Sequence, residues 1–190
     1  MGLLQSADHQ DLFVFSHGLP SAQKKQLLRD ALQAQGPATL ICSENWIPSP
    51  RVLVLDNAPS LDESFLKAAV SVCSRFRLTP VVLSIAGSER AARLRQHDAI
   101  QILAACSVTA DFDYFVGYEV RAGVAQIARW RHCQMVIGQH EAGGSWRRWF
   151  RDTTVEEFMG VPEGLSFLAL PKRNGLAGLS NQTACKLTGG

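Results

Sequence analysis

The sequence lacks the features that mark several large classes of protein. Its 190 residues contain no apolar run long enough to cross a bilayer. The first ten residues lack the basic start and apolar core of a signal peptide. The formal net charge is only +2, which is too small to indicate a nucleic-acid partner. We therefore expect a soluble, cytoplasmic protein that does not bind nucleic acid.

The cysteines are too scattered for a disulfide framework or a zinc site. There are five of them, an odd number, and no CxxC pair occurs. Four lie within apolar runs, where a reduced thiol behaves as a small core residue. We expect core positions for Cys42, Cys73, Cys106 and Cys133.

Sequence motifs for catalysis are also missing. The five histidines have no partner at i, i+4 spacing and no adjacent glutamate at a metal-binding spacing. Neither a G-x-S-x-G nucleophile motif nor a phosphate-binding P-loop is present. We predict no catalytic residues and no metal site, and hence that the chain is not an enzyme.

What the sequence does contain, from Arg51 onward, is an alternation of short apolar runs with helix-length amphipathic segments. Continuous apolar runs are typical of strands that are buried on both faces, and they alternate with segments of helical period. Crossover connections of this kind place helices on both faces of a parallel sheet. We predict an α/β fold with an open, doubly wound, five-stranded parallel sheet. The predicted strands are residues 52–56, 81–85, 113–117, 134–138 and 165–170.

The helix boundaries are predicted from capping residues. Ser60, with Glu63 three residues later, forms a capping box that starts a helix reaching Arg77. A second helix follows Ser88 and extends to Cys106. The predicted buried side of this second helix consists of Leu94, Ile100, Leu103 and Ala104.

The first part of the chain resembles the end of the unit that follows it. The run 12–15 parallels 135–137, and the run 38–42 parallels 165–170, with similar spacing between them. We predict a partial β-α-β repeat in residues 1–47, a complete domain in 48–172 and a disordered tail in 173–190. Chance similarity between two β-α-β units is the alternative.

The order of these features resembles the universal stress protein family. As in that family, Asp56 ends the first strand, and the segment from Val120 to Gly123 precedes a helix. The resemblance covers residues 51–171, with a half-copy in 11–42, so the chain looks like a degenerate tandem form. It implies an adenine nucleotide alpha hydrolase-like fold and a regulatory or sensor role.

The loop after the fourth strand departs from the family's pattern. That pattern is G-x-x-G, nine residues, then G followed by Ser or Thr. Gly138 matches the first glycine, but Glu141 and Arg151 stand at the other two glycine positions. Thr153 reaches the hydroxyl position only with a one-residue insertion, which still does not restore the glycine. We therefore expect ATP, or another adenine nucleotide, to bind weakly or not at all.

Ten residues are candidates for binding a cofactor, some implied by the resemblance and some by their own chemistry. Gly143, Gly144 and Ser145 would provide a displaced group of N–H donors, and Arg151 a positive charge. Asp56 would lie near the base or ribose, and the main chain of Ser84 and Ile85 at the adenine edge. Backbone N–H groups of a glycine loop would face the phosphates. The residues of this loop set are Gly138, His140, Gly143, Gly144, Ser145, Arg151 and Thr153. For Asp56 the alternative is a strand-end acid that caps the next helix.

The resemblance also implies partners. Family members commonly pair through their last strands, which implies a homodimer or pairing within the chain between 40–42 and 165–170. One alternative is the cytoplasmic regulatory domain of a cation/proton antiporter, because the sequence begins in the middle of a domain. Another is an ATP-binding enzyme of the adenine nucleotide hydrolase-like group. The absence of glycines in 56–60 counts against that enzyme.

Overall fold

A computed structural model describes residues 12–15, 38–43, 47, 49–56, 61–106, 108–117, 120–140 and 165–171. The strands in this part of the chain are β1 (Leu12–Phe15), β2 (Ala38–Ile41), β3 (Arg51–Asp56), β4 (Thr79–Ala86), β5 (Asp111–Val116), β6 (Met135–His140) and β7 (Ser166–Pro171). The helices are α1 (Glu63–Arg75), α2 (Glu89–Ala105) and α3 (Val120–Trp130).

The strands form one sheet in the order β1-β2-β7-β6-β3-β4-β5. The five strands from β3 to β7 are mutually parallel, as predicted. β2 joins this parallel sheet antiparallel to β7, and β1 lies parallel to β2 at the outside. The predicted α/β fold with a five-stranded parallel sheet is confirmed, and the sheet is wider by two strands from the first part of the chain.

Helices cover both faces of the sheet, which makes the fold doubly wound. Val52 and Val54 of β3 pack with the buried residues of α1 and α2. Leu53 and Leu55 of the same strand pack on the opposite face with those of α3. Because successive side chains of a strand point to opposite faces, a central strand covered on both sides must be apolar throughout. This explains the continuous run from Val52 to Leu55.

The N-cap of α2 agrees with the prediction, whereas the N-cap of α1 differs from it. α2 begins after Ser88, whose side chain accepts a hydrogen bond from Ala91 N, as predicted. α1 begins at Glu63, and its N-cap is Asp62, whose side chain accepts from Phe65 N at 3.0 Å. The predicted N-cap at Ser60 is therefore wrong. Serine and aspartate are both good capping residues, and the helix uses Asp62, which directly precedes its first turn.

The buried side of α2 also differs from the prediction. Leu94 is 61% exposed, and Ile100 and Ala104 are exposed as well. Only Leu103 of the four predicted residues is buried. The buried side instead consists of Ala92, Ala99 and Leu103. Small residues at the contact let the helix axis approach the sheet closely. Which residues are buried therefore depends on their position around the helix and not on the size of their side chains.

The described cysteines divide into two groups. Cys73 and Cys133 are buried, and burial raises the pKa of each thiol to about 11, so both stay protonated at neutral pH. Cys42 is half-buried and Cys106 is exposed at the end of α2, so the prediction of a core position for Cys106 is wrong. The burial of Cys73 and Cys133 agrees with the prediction from the apolar runs around them.

A row of register partners relates the first two strands to the last two. Leu40 of β2 lies opposite Leu168 of β7 at the antiparallel junction. One strand further out, Leu40 is paired with Val14 of β1, and Leu168 is paired with Ile137 of β6. A two-fold axis through the junction therefore exchanges Val14 with Ile137. A partial copy of the unit, as predicted for residues 1–47, would produce this arrangement, and that repeat stays a prediction.

The segment between β2 and β3 crosses the amino ends of β7 and β6. Ser43 N donates to Ser166 Oγ at 3.1 Å, and Ile47 N donates to Gln134 Oε1 at 2.9 Å. Ser49 Oγ then donates to the carbonyl oxygen of His132 at 2.7 Å. These bonds attach the connecting segment to the domain that follows it.

Candidate functional site at the carboxyl edge of the sheet

The strand order reverses between β3 and β6. From β3 the chain proceeds outward through β4 to β5, and it then returns to the other side of β3 to form β6 and β7. In open α/β sheets, ligands bind beyond the carboxyl ends of the strands at such a reversal. The carboxyl ends of β3 and β6 carry Asp56 and Gln139–His140. The reversal therefore places these residues where a ligand of this fold would bind.

Asp56 is the last residue of β3, and it is almost completely buried, with 3% of its surface exposed. Its register partner on β4 is Ser84, which is completely buried. Ser84 Oγ donates to Asp56 Oδ2 at 3.3 Å. The carboxylate therefore has a hydrogen-bond partner inside the protein.

Burial controls the ionisation of Asp56. Loss of hydration raises the pKa of its carboxyl group to about 6, because the charged form is disfavoured in the interior. The positive charge of Arg95 and the bond from Ser84 lower that pKa, and the negative charge of Asp98 raises it slightly. Both charged neighbours come from α2, which covers this part of the sheet. Near neutral pH the group is an ionised carboxylate held at a cost in stability.

A second polar pair lies across the strand reversal. Gln139 Nε2, on β6, donates to Asp62 Oδ2 at 2.6 Å, a bond that joins residues 77 positions apart in the sequence. The other carboxylate oxygen of Asp62 accepts from Phe65 N and caps α1. We refer to the Gln139–Asp62 hydrogen bond as the edge bridge. It ties the carboxyl end of β6 to the start of α1, across the place where a ligand of this fold would enter.

The alternative role considered for Asp56, capping the following helix, is wrong. Asp62 caps α1, whereas Asp56 is bonded to Ser84. Asp62 and Gln139 were not among the predicted site residues. Asp62 could have been found from its position one residue before a helical period, but its pairing with Gln139 leaves no local trace in the sequence.

Gly138 lies in a strand, in agreement with the predicted strand 134–138, whereas His140, which was predicted to lie in the following loop, belongs to the same strand. β6 extends through His140. A Cβ atom on Gly138 would lie 2.7 Å from the ring of Phe167 on β7. Glycine is required here because an aromatic ring of the neighbouring strand occupies the space of a side chain. Close packing thus accounts for Gly138 without a phosphate.

The main chain at Ser84 and Ile85 is already engaged within the protein. Both residues belong to β4, which is paired with β3 on one side and β5 on the other. The carbonyl oxygen of Ile85 also accepts from Arg95 Nη1 at 3.4 Å. Contact of this main chain with an adenine stays a prediction. The predicted loop residues Gly143, Gly144, Ser145, Arg151 and Thr153 lie outside the described residues.

Gly123, which the family resemblance singled out, has a packing role in α3. A Cβ atom there would lie 2.5 Å from the ring of Phe115 on β5. Gly123 therefore lets the first turn of α3 lie directly on this ring. The same ring lies against Gly117, whose φ of +156° is a conformation that side chains other than glycine rarely adopt.

Two further properties concern the described part of the chain only. Its residues contain no group of three or more histidine, cysteine, aspartate or glutamate side chains that could hold a metal ion. None of its helices is long and apolar enough to cross a membrane.

Comparison with known proteins supports the fold. No protein family model matches the chain, and no curated sequence matches it. Among solved structures, the chain is similar to the crystal structure of a universal stress protein from Archaeoglobus fulgidus DSM 4304, with a TM-score of 0.60 and 12% sequence identity. The match covers 83% of this chain and 59% of that protein's chain. The matched share of this chain is larger than residues 48–190 could supply alone, so it extends into residues 1–47. At this identity the likeness is one of fold.

Proposed function

We propose that the chain is a regulatory domain of the universal stress protein type, in which the adenine-nucleotide site is weak or lost. The observation that carries this proposal is the edge bridge, with its 2.6 Å hydrogen bond between Gln139 and Asp62. Polar groups at the strand reversal bond to one another, so that a ligand would have to break these bonds before making its own. Breaking a hydrogen bond between two half-buried groups costs about 0.5–1.5 kcal/mol, which a ligand would have to offset.

The buried carboxyl group supports the same conclusion. Asp56, the acid that the resemblance places near a nucleotide, is hardly accessible and is bonded to Ser84. At neutral pH it carries a negative charge close to the sheet edge, and this charge disfavours the approach of a phosphate. The proposal includes no catalytic step, because Ser84 is completely buried and out of reach of a substrate.

Regulation without a strong ligand site requires contact with another macromolecule. We propose that the domain acts through such a contact. A cytoplasmic location, a nucleotide-hydrolysing enzyme and a cation/proton antiporter as parent protein stay predictions from the sequence, and the fold likeness favours none of the three.

The test is isothermal titration of the chain with ATP, ADP, AMP and cyclic AMP. We expect no saturable binding below about 1 mM, a dissociation constant equivalent to only about 4 kcal/mol. The variant Glu141→Gly restores a glycine of the family's loop pattern, and Gln139→Leu removes the edge bridge. A gain of affinity in either variant supports a site that has been lost. Binding of ATP by the unmodified chain at micromolar concentration would overturn the proposal.

A further inference from the structure

The two outer strands of the described sheet differ in how they are protected. β5 carries Asp111 and Asp113, which form ion pairs with Arg51 and Arg131 on the same protein. Charged residues on an outer strand, particularly when held by the strand's own domain, prevent pairing with foreign strands. β1 has the sequence Leu-Phe-Val-Phe and carries no charge. Of these two strands, β1 is the one open to a partner.

The register about the β2–β7 junction indicates what such a partner should look like. Val14 of β1 occupies the place of Ile137 of β6 about the two-fold axis through the β2–β7 junction. Ile137 is paired on its other side with Val54 of β3, in parallel. Ile137 is completely buried, whereas Val14 is 59% exposed. Within the described residues, β1 is paired on one side only, with β2.

We propose that the outer edge of β1 binds an apolar strand of a separate α/β polypeptide, running parallel to β1 as β3 runs parallel to β6. The partner strand has the chemistry of Leu53–Leu55, a run of branched apolar residues buried on both faces. Main-chain hydrogen bonds provide affinity in strand addition of this kind, and side-chain burial provides selectivity. Ile137 is covered by α1. To bury Val14 to the same extent, the partner would also need a helix above its strand.

This interface deepens the partner contact of the proposed function, and it is tested without any nucleotide. If the peptide does not bind to β1, the result of the nucleotide titrations is unaffected. Likewise, nucleotide binding would not affect the peptide test. The probe is a synthetic peptide with the sequence of residues 50–57, extended by two lysines for solubility. The control is the same peptide with proline in place of both Leu53 and Val54, which removes a main-chain donor from each edge of the strand.

The measurement is amide hydrogen exchange and ¹⁵N chemical shift on the full chain during peptide titration. We expect protection of the β1 amides to rise about tenfold at saturation, with no change in β5 and no effect of the proline peptide. Val14→Lys should abolish the effect. Val116→Lys, at a residue that is 42% exposed on β5, is the matched control and should retain it.

Three outcomes would overturn the proposal. The first is the absence of any change at β1 at millimolar peptide. The second is equal binding of the peptide and its proline control, which would indicate association that does not depend on strand pairing. The third is β1 protection that grows with protein concentration in the absence of peptide, together with a dimer in light scattering. That result would make a second copy of the chain the partner. Circular dichroism of both lysine variants establishes that each is folded.

Discussion

Val14 of β1 and Ile137 of β6 hold equivalent register positions at the two ends of the strand series β1–β2–β7–β6, but their environments differ. Ile137 has β3 beside it and α1 above it, and it is completely buried. Val14, which the internal two-fold relates to it, is 59% exposed. The two side chains are similar branched hydrophobics, so the difference comes from their neighbours. An apolar strand pattern stabilises the protein only where neighbouring elements bury it, as β3 and α1 do for Ile137.

Truncating the two counterparts gives the largest expected difference. Ile137→Ala should lower the free energy of unfolding by about 2–5 kcal/mol, because it removes buried methyl groups and leaves a cavity. Val14→Ala should change it by less than about 0.5 kcal/mol, because the residue is mostly exposed. Urea unfolding of both variants provides the measurement. Similar losses in the two variants would mean that β1 is as well covered as β6.

Removing the buried charge of the complete unit should raise stability. The pKa of Asp56 in the folded chain, about 6, lies above its ordinary value of 3.8, so its contribution to stability is present below pH 3.8 and lost as pH rises through 6. Asp56→Asn should therefore stabilise the protein by about 2 kcal/mol at neutral pH and hardly at all near pH 4. Urea unfolding at both pH values measures this. Asp98→Asn, which removes the negative charge that raises the pKa of Asp56 slightly, should stabilise in the same direction but by less. A destabilised Asn variant at neutral pH would contradict the assigned environment.

Filling the contact between α3 and β5 tests whether close packing defines the complete unit. Gly123→Ala should cost about 1–2 kcal/mol, because its Cβ would lie 2.5 Å from the Phe115 ring, and only part of this is offset by better helix propensity. Gln126→Ala, at an exposed position of the same helix, should be neutral within about 0.5 kcal/mol. Thermal unfolding of both variants distinguishes the two. Stabilisation by Gly123→Ala would show that the ring moves aside at little cost.

The smallest expected effects are at the edge bridge. Asp62→Ala removes both the cap of α1 and the acceptor for Gln139, so we expect a loss of about 1–2 kcal/mol. Gln139→Leu removes the bridge alone and should cost about 0.5–1 kcal/mol. Ser88→Ala, which removes only a cap from α2, is the comparison for the capping contribution. Chemical unfolding of the three variants separates cap from bridge. Equal losses for Asp62→Ala and Ser88→Ala would mean that the bridge adds nothing.

The strands and the fold class could be predicted because they depend on local pattern. A run such as Val52–Leu55 can be satisfied only as a strand covered on both faces, and its alternation with helical segments leaves few topologies. The buried side of α2 could not be predicted as well. Its contact is made by Ala92 and Ala99, whereas the larger Leu94 lies in solvent. Alanine contributes little to a hydrophobic pattern, so the pattern favoured the wrong side.

The site was harder to predict than the fold, because its bonds connect distant parts of the chain. Asp56 was identified from its place at the end of a strand, and it does lie at the strand reversal. Its partner Ser84 is 28 positions away, and the edge bridge spans 77. Neither pairing is contained in any local motif. Gly138 was assigned a phosphate-binding role because of the family pattern, although close packing against Phe167 already accounts for a glycine at this place in the strand.

The most direct test of the central claim, that the edge bridge occupies the ligand position, is an NMR titration of the Gln139 side-chain amide with ATP. The amide donates to Asp62 Oδ2 at 2.6 Å, so its resonance reports on that bond. Our account predicts that the resonance stays at its ligand-free position up to about 1 mM ATP, while it shifts in Asp62→Asn without any ligand. A saturable shift with micromolar ATP in the unmodified chain would show that the site is open to nucleotide, and would contradict the account.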